Sequence, residues 1–141
     1  MAKLVKSIYT GADVTALGEV TTSDTIDGNY VFNDDVTVSG VAKGVVTTDN
    51  DLSFDMAVTN NFKCTPTGTG TLTFTNITAG QSGNIWLDNS AAVVISAAST
   101  TYISAADLTK INSAGVYFLS YYSDGTNVMV SASSALTSAG A

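Results

Sequence analysis

Period-two alternation of apolar and polar residues constrains this chain more than any other feature. In "DLSFDMAV" (Asp51–Val58), Leu52, Phe54 and Met56 alternate with Asp51, Ser53 and Asp55. In "TLTFTNI" (Thr71–Ile77), Leu72 and Phe74 alternate with Thr71, Thr73 and Thr75. Successive side chains of a strand point to opposite faces, so both runs read as strands with one buried face. Shorter runs read the same way: "NYVFN" (Asn29–Asn33), "DVTVSGV" (Asp35–Val41), "GVVTT" (Gly44–Thr48), "NIWLD" (Asn84–Asp88) and "AAVVIS" (Ala91–Ser96). Turn signals separate them, among them Asn33-Asp34, "AGQSG" and "NS".

The clearest hairpin lies in "GVYFLSYYSDGTNVMVSAS" (Gly115–Ser133), where Asp124-Gly125 marks the turn between Val116–Tyr122 and Asn127–Ser131. Its first strand is apolar on both faces, with Tyr117, Leu119 and Tyr121 on one and Val116, Phe118 and Tyr122 on the other. Such a strand is sandwiched, or sets one face against another subunit. One helical cue stands apart: Ser104 followed three residues later by Asp107 resembles a capping box before Leu108, and Gly115 limits the helix to one or two turns. No repeat of fixed period emerges. These signals predict an all-β chain, a β-sandwich or barrel-like domain with at most one short helix. Residues 1–20, interrupted by Gly11 and Gly18, read as an extended N-terminal arm, and residues 21–141 as one β domain. At 141 residues the chain can bury about two-thirds of its unfolded surface, enough for a core of its own.

Charge is unevenly spread. Net charge is −7, yet from Thr65 onward only Asp88, Asp107, Lys110 and Asp124 are charged. A charge-poor segment over 65–141 must show a hydroxyl-rich surface or turn much of itself to another chain. Five lysines, no arginine and twelve acids make nucleic acid and anionic membrane poor partners. The start, "MAKLVKSIYTGAD", lacks the apolar region of a secretory signal, and no apolar run approaches the roughly 20 residues that span a bilayer. The expectation is a soluble protein made in the cytoplasm. Cys64, the single cysteine, precludes an internal disulfide and reads as a small buried hydrophobe.

Catalytic constellations are scarce. Without histidine there is no Ser-His-Asp or Cys-His arrangement and no His-ligated metal, and one cysteine makes no thiolate zinc site. In "TGTGTLTF", Gly68 and Gly70 lack the third glycine, the Gly-Lys-Ser/Thr and the helix of a phosphate loop, so the stretch reads as a turn feeding a strand. Asp49, Asp51, Ser53 and Asp55 match the first ligand spacings of a calcium loop, but Phe54 and Asn60 stand where glycine and glutamate belong. The acids read as the polar face of a strand. No enzyme, metal or cofactor is expected. Tyr9, Tyr30, Trp86, Tyr102, Tyr117, Tyr121 and Tyr122 suit a core or a subunit interface, with carbohydrate contact as the other use.

The block from Thr67 to Ala141, in "TGTGTLTFTNITAGQSGNI", "STTYISAADLT" and "GVYFLSYYSDGTNV", resembles segments of small structural proteins of tailed bacteriophages, of the head-decoration and fibre types. The resemblance carries no catalytic residue. It implies a virion component, usually a β-rich homotrimer. The ion-poor C-terminal half and the arm, with Lys3 and Lys6 as its basic cluster, favour a capsid decoration (cement) protein. Such a homotrimer would bind the major capsid protein on the outer surface of the head, the arm pairing with an edge strand. The interface is expected at Lys3, Leu4, Val5, Lys6, Ile8, Tyr9, Tyr117, Leu119 and Tyr121. A tail or head fibre module that binds host surface glycans is the alternative, and a metal-assisted enzyme using Asp49, Asp51 and Asp55 a third.

Overall fold

A computed structural model describes residues 35–137. The chain divides into two units, Met1–Ser39 and Gly40–Ala141. Of the first, only residues 35–39 are described; the expected arm and the boundary at residue 20 lie outside the described residues. The second holds nine strands and one short helix among its described residues.

Three successive coils build most of it. Each coil places one strand in each of two sheets. The first contributes β1 (Val46–Thr48) and β2 (Ser53–Asp55), the second β3 (Asn61–Cys64) and β4 (Gly70–Thr75), the third β5 (Ser82–Asn89) and β6 (Ile95–Ala97). β1, β3 and β5 are parallel neighbours, and so are β2, β4 and β6. The chain then adds β7 (Thr101–Ile103), α1 (Ala105–Ile111), β8 (Gly115–Ser123) and β9 (Val128–Ala132). β8 runs antiparallel to β5, β9 antiparallel to β8, and β7 parallel to β9. The result is a six-stranded sheet, β1-β3-β5-β8-β9-β7, and a three-stranded one, β2-β4-β6.

The all-β class with one short helix therefore holds, but the expected sandwich or barrel gives way to a solenoid-like stack of coils. Alternation shows which residues face inward and says nothing of strand direction. The connectors after β1, β3 and β5 carry the chain across to the other sheet; they do not fold it back as hairpins. The coils also hide their own repetition. The register step grows from 15 residues (Val46 to Asn61) to 23 (Asn61 to Asn84) in the larger sheet. It grows from 20 (Ser53 to Thr73) to 25 (Gly70 to Ile95) in the smaller. No fixed period survives such growth.

Inward residues stack in register along the coils. Thr47, Phe62, Ile85, Leu119 and Ala132 form one row across five strands of the larger sheet, and Cys64, Leu87 and Tyr117 form another. Phe54, Leu72 and Phe74 of the smaller sheet, with Leu52 just before β2, complete the same core. Four rings cross it: Phe62, Phe54, Phe74 and Tyr121, with successive centroids 5.0, 5.7 and 5.2 Å apart. Burial of each large apolar side chain stabilises by about 1.5–3 kcal/mol, so these rows are the main cohesive force. Cys64 is buried as expected, and desolvation pushes its thiol up to about 11.

Local signals hold where a local cause exists. Ser104 caps α1, its hydroxyl accepting the Asp107 N–H at 3.0 Å, and Ile111 seals the helix against the core. Asp124 closes the β8–β9 turn by accepting the N–H groups of Thr126 and Asn127 at 2.8 and 2.7 Å, with Gly125 at φ 98°. The expected strand Asp35–Val41 is not formed: Val36, Val38 and Val41 are exposed and the segment has no regular structure. Asn29–Asn33 lies outside the described residues. The strand expected at Ala91–Ser96 shortens to Ile95–Ala97. The side chain of Asn89 accounts for that: it bonds both the N–H and the C=O of Val93 and so fixes a turn there.

Candidate interaction surface

The strongest candidate site is the outer face of the six-stranded sheet, and it follows from the same alternation that builds the core. Wherever an inward residue is flanked by a large apolar one, the latter must face out. Trp86 follows Ile85, Phe118 precedes Leu119, Tyr122 follows Tyr121, Met129 precedes Val130, and Tyr102 precedes Ile103. These five are between 37% (Met129) and 58% (Tyr102) exposed.

Register sorts them into two rows. Lys63 on β3, Trp86 on β5 and Phe118 on β8 stand side by side. Tyr122 on β8, Met129 on β9 and Tyr102 on β7 form the second row. Along β8 the rows are four residues apart, roughly 13 Å at the strand rise. Between them runs a polar lane, Asn84, Ser120 and Ser131, again in register. The Ser120 hydroxyl lies 3.2 Å from Asn84 Oδ1. A shallow depression beside Tyr122 and Met129 has Ser120 and Ser131 in its wall. Among the described residues Lys63 and Asp88 are the charged ones of this face, both on its β3–β5 side. An apolar, nearly ion-free surface with hydroxyls and an amide along its middle can exclude water against another surface of the same kind.

The expected interface residues divide differently. Lys3, Leu4, Val5, Lys6, Ile8 and Tyr9 lie outside the described residues. Tyr117, Leu119 and Tyr121 point into the core, at most 4% exposed, and it is the other face of β8 that looks outward. Desolvation pushes the Tyr121 hydroxyl up to about 12. The residues between the large ones carry the signal that separates the faces. On the outer face Ser120 interrupts Phe118 and Tyr122, while Tyr117, Leu119 and Tyr121 run without a polar break.

The acids of Asp49–Asp55 act locally. Asp51 Oδ1 accepts the Ser53 N–H at 2.8 Å. Asp55 Oδ1 accepts the Asn76 amide at 2.7 Å and the Ala57 N–H at 2.9 Å, and these two bonds hold its carboxyl below the usual value. Burial and the neighbouring Asp51 raise Asp49. Among the described residues no group of three or more Asp, Glu, Cys or His could hold a metal ion. In "TGTGTLTF", Gly70 opens β4, whose Leu72 and Phe74 are buried, so the stretch is a turn feeding a strand.

Sequence reasoning missed Asn89, which is fully buried. Its Nδ2 donates to the carbonyls of Val93 and Ile111 at 3.0 and 2.7 Å, and its Oδ1 accepts the Val93 N–H at 2.9 Å. Asn112 repeats the device, pairing its amide with both backbone groups of Ile95. The two amides tie the end of α1 to the third coil. Compared with known proteins, the chain matches no family model, no curated protein and no solved structure.

Proposed function

We propose that this chain is a structural protein of a bacteriophage virion, a decoration protein that seats on the outside of the capsid and reinforces it. The observation that carries the reading is the outer sheet face, where Trp86, Phe118, Tyr122, Met129 and Tyr102 stand exposed on a rigid sheet with little charge around them. Aromatic residues and methionine with few charges are the composition of an interface core. The resemblance of Thr67–Ala141 to phage structural proteins supports the same reading and supplies its partners: the major capsid protein, and further copies of this chain in a homotrimer. The action is mechanical. Several copies in one assembly touch neighbouring capsid subunits, and weak contacts add through effective concentration. No chemical step is needed.

Immunogold labelling of the virions that encode the chain tests this. Label spread over the head is expected. Label confined to one vertex would move the protein to the tail, and unlabelled particles would overturn the reading. A second reading, a fibre module for host surface glycans, is favoured by one observation, the lane of Asn84, Ser120 and Ser131 between two rows of rings. Binding on a glycan array, lost in Tyr122→Ala, would establish it instead.

A further inference from the structure

The geometry points to the occupant of that face: a second copy of this chain, set against it with rings on rings and polar lane near polar lane. The inference rests on the reading of the chain as an assembling structural protein; a surface set against its own copy makes a two-fold pair, so it names a contact that joins chains two by two and is distinct from the contact that would close a homotrimer.

Area comes first. A large side chain buries 150–250 Å², so the five exposed ones leave roughly 500 Å² of mostly apolar surface on one copy. That lies at the upper end of the largest patch an ordinary monomer shows, about 300–600 Å². Two such faces in contact remove about 1,000 Å² from water, the size at which a specific interface begins. Asn84, Ser120 and Ser131 add to it, and their hydroxyls and amide can both donate and accept, so a copy of the lane is a competent partner for the lane.

Charge selects the same surface. At a net charge of −7, two copies repel. Asp51 and Asp55 lie in the turn before β2 and on β2, in the smaller sheet, and Asp49, whose N–H donates to the Lys63 carbonyl, follows β1 at the edge of the larger one. On that face Lys63 and Asp88 balance one another at one margin. Among the described residues it is therefore a face where two copies approach at little electrostatic cost. The interior of the patch contains no ion to desolvate.

Light scattering and sedimentation of the full chain over a range of concentrations test the inference, with Phe118→Lys and Ser120→Arg as variants. Phe118→Lys puts a charge among the rings. Ser120→Arg does so from a residue that is already polar and exposed, so it leaves the fold alone even if Phe118→Lys does not. The natural chain is expected at an even multiple of 14.4 kDa, its copies meeting in pairs. Each variant is expected to associate roughly 30-fold more weakly, the effect of one interface anchor, and Ser120→Arg is expected to keep the melting transition that the natural chain shows when dilute. A natural chain that stays monomeric, or an oligomer indifferent to both variants, overturns the inference. If the chain is monomeric yet labels phage heads, the self-contact falls and decoration stands. If it associates through this face yet leaves heads unlabelled, the self-contact stands and decoration falls. A monomer that binds glycans through Phe118 overturns both.

Discussion

The hydroxyl of Tyr121 donates a 3.0 Å hydrogen bond to the carbonyl of Asn60, 61 residues earlier in the chain. The same carbonyl accepts the Asn84 N–H at 2.9 Å. One backbone oxygen, at the entry to β3, thus holds both β5 and β8. Gly83 lies directly beneath: a Cβ there would collide with the Asn60 carbonyl and the Tyr121 hydroxyl. Gly83→Ala should therefore push apart backbone as well as side chain and cost about 3 kcal/mol, the upper end of overpacking. Tyr121→Phe keeps the ring packing and loses the bond, costing about 1 kcal/mol. Urea unfolding of both variants checks the order; a milder effect from Gly83→Ala would refute the packing argument.

Alkaline pH should destabilise the protein over two overlapping ranges. Burial raises Cys64 from 9.0 to about 11 and Tyr121 from 10.0 to about 12. Both are neutral acids whose folded values exceed the unfolded ones. The folded state keeps its protons while the unfolded state loses them, so stability is full below pH 9.0 and falls as pH rises toward 12. Melting temperature against pH measures the slope. Cys64→Ala should flatten it between pH 9.0 and 11. Tyr121→Phe should flatten it between 10.0 and 12.

Asn89→Ala should be among the most damaging polar substitutions. It strands the Ile111 carbonyl and both Val93 backbone groups. At about 1–3 kcal/mol for a buried group left without a partner, a loss of about 3 kcal/mol is expected. Hydrogen exchange would localise the loss to α1 and the segment before β6. Uniform protection changes across the sheet would count against a local role for this amide.

Elements with a nearby cause are legible in the sequence. Leu52, Phe54 and Met56 mark their buried face by alternation, Asp124-Gly125 its turn, and Ser104 its helix. What escapes depends on partners far away in the chain. Nothing in Val46–Thr48 says that it will lie parallel to Asn61–Cys64, because the step from one coil to the next is unequal and the connectors read like hairpin turns. Asn89 resembles any turn residue until its buried partners are seen. The candidate surface is half legible: β8 is recognisable as apolar on both faces and the break at Ser120 marks the outer one, while the register of Leu119 with Ile85 and of Ile85 with Phe62 fixes the inward one.

That assignment gives the last prediction. Phe118 and Leu119 are neighbours on β8 and point to opposite faces, one outward and one into the row of Phe62 and Ile85. Leu119→Ala should cost about 2–5 kcal/mol, because a fully buried side chain leaves a cavity that the rigid coils cannot close. Phe118→Ala should cost only about 0.5–1 kcal/mol, the loss of its cross-strand pairing with Trp86. Chemical denaturation of the two variants, measured below the concentration at which copies associate, reads the folding term alone. At high concentration the ranking should narrow, since Phe118 then also contributes to the contact between copies and stability gains from mass action. A larger folding cost from Phe118→Ala in the dilute measurement would mean that the outward and inward faces of β8 are assigned the wrong way round.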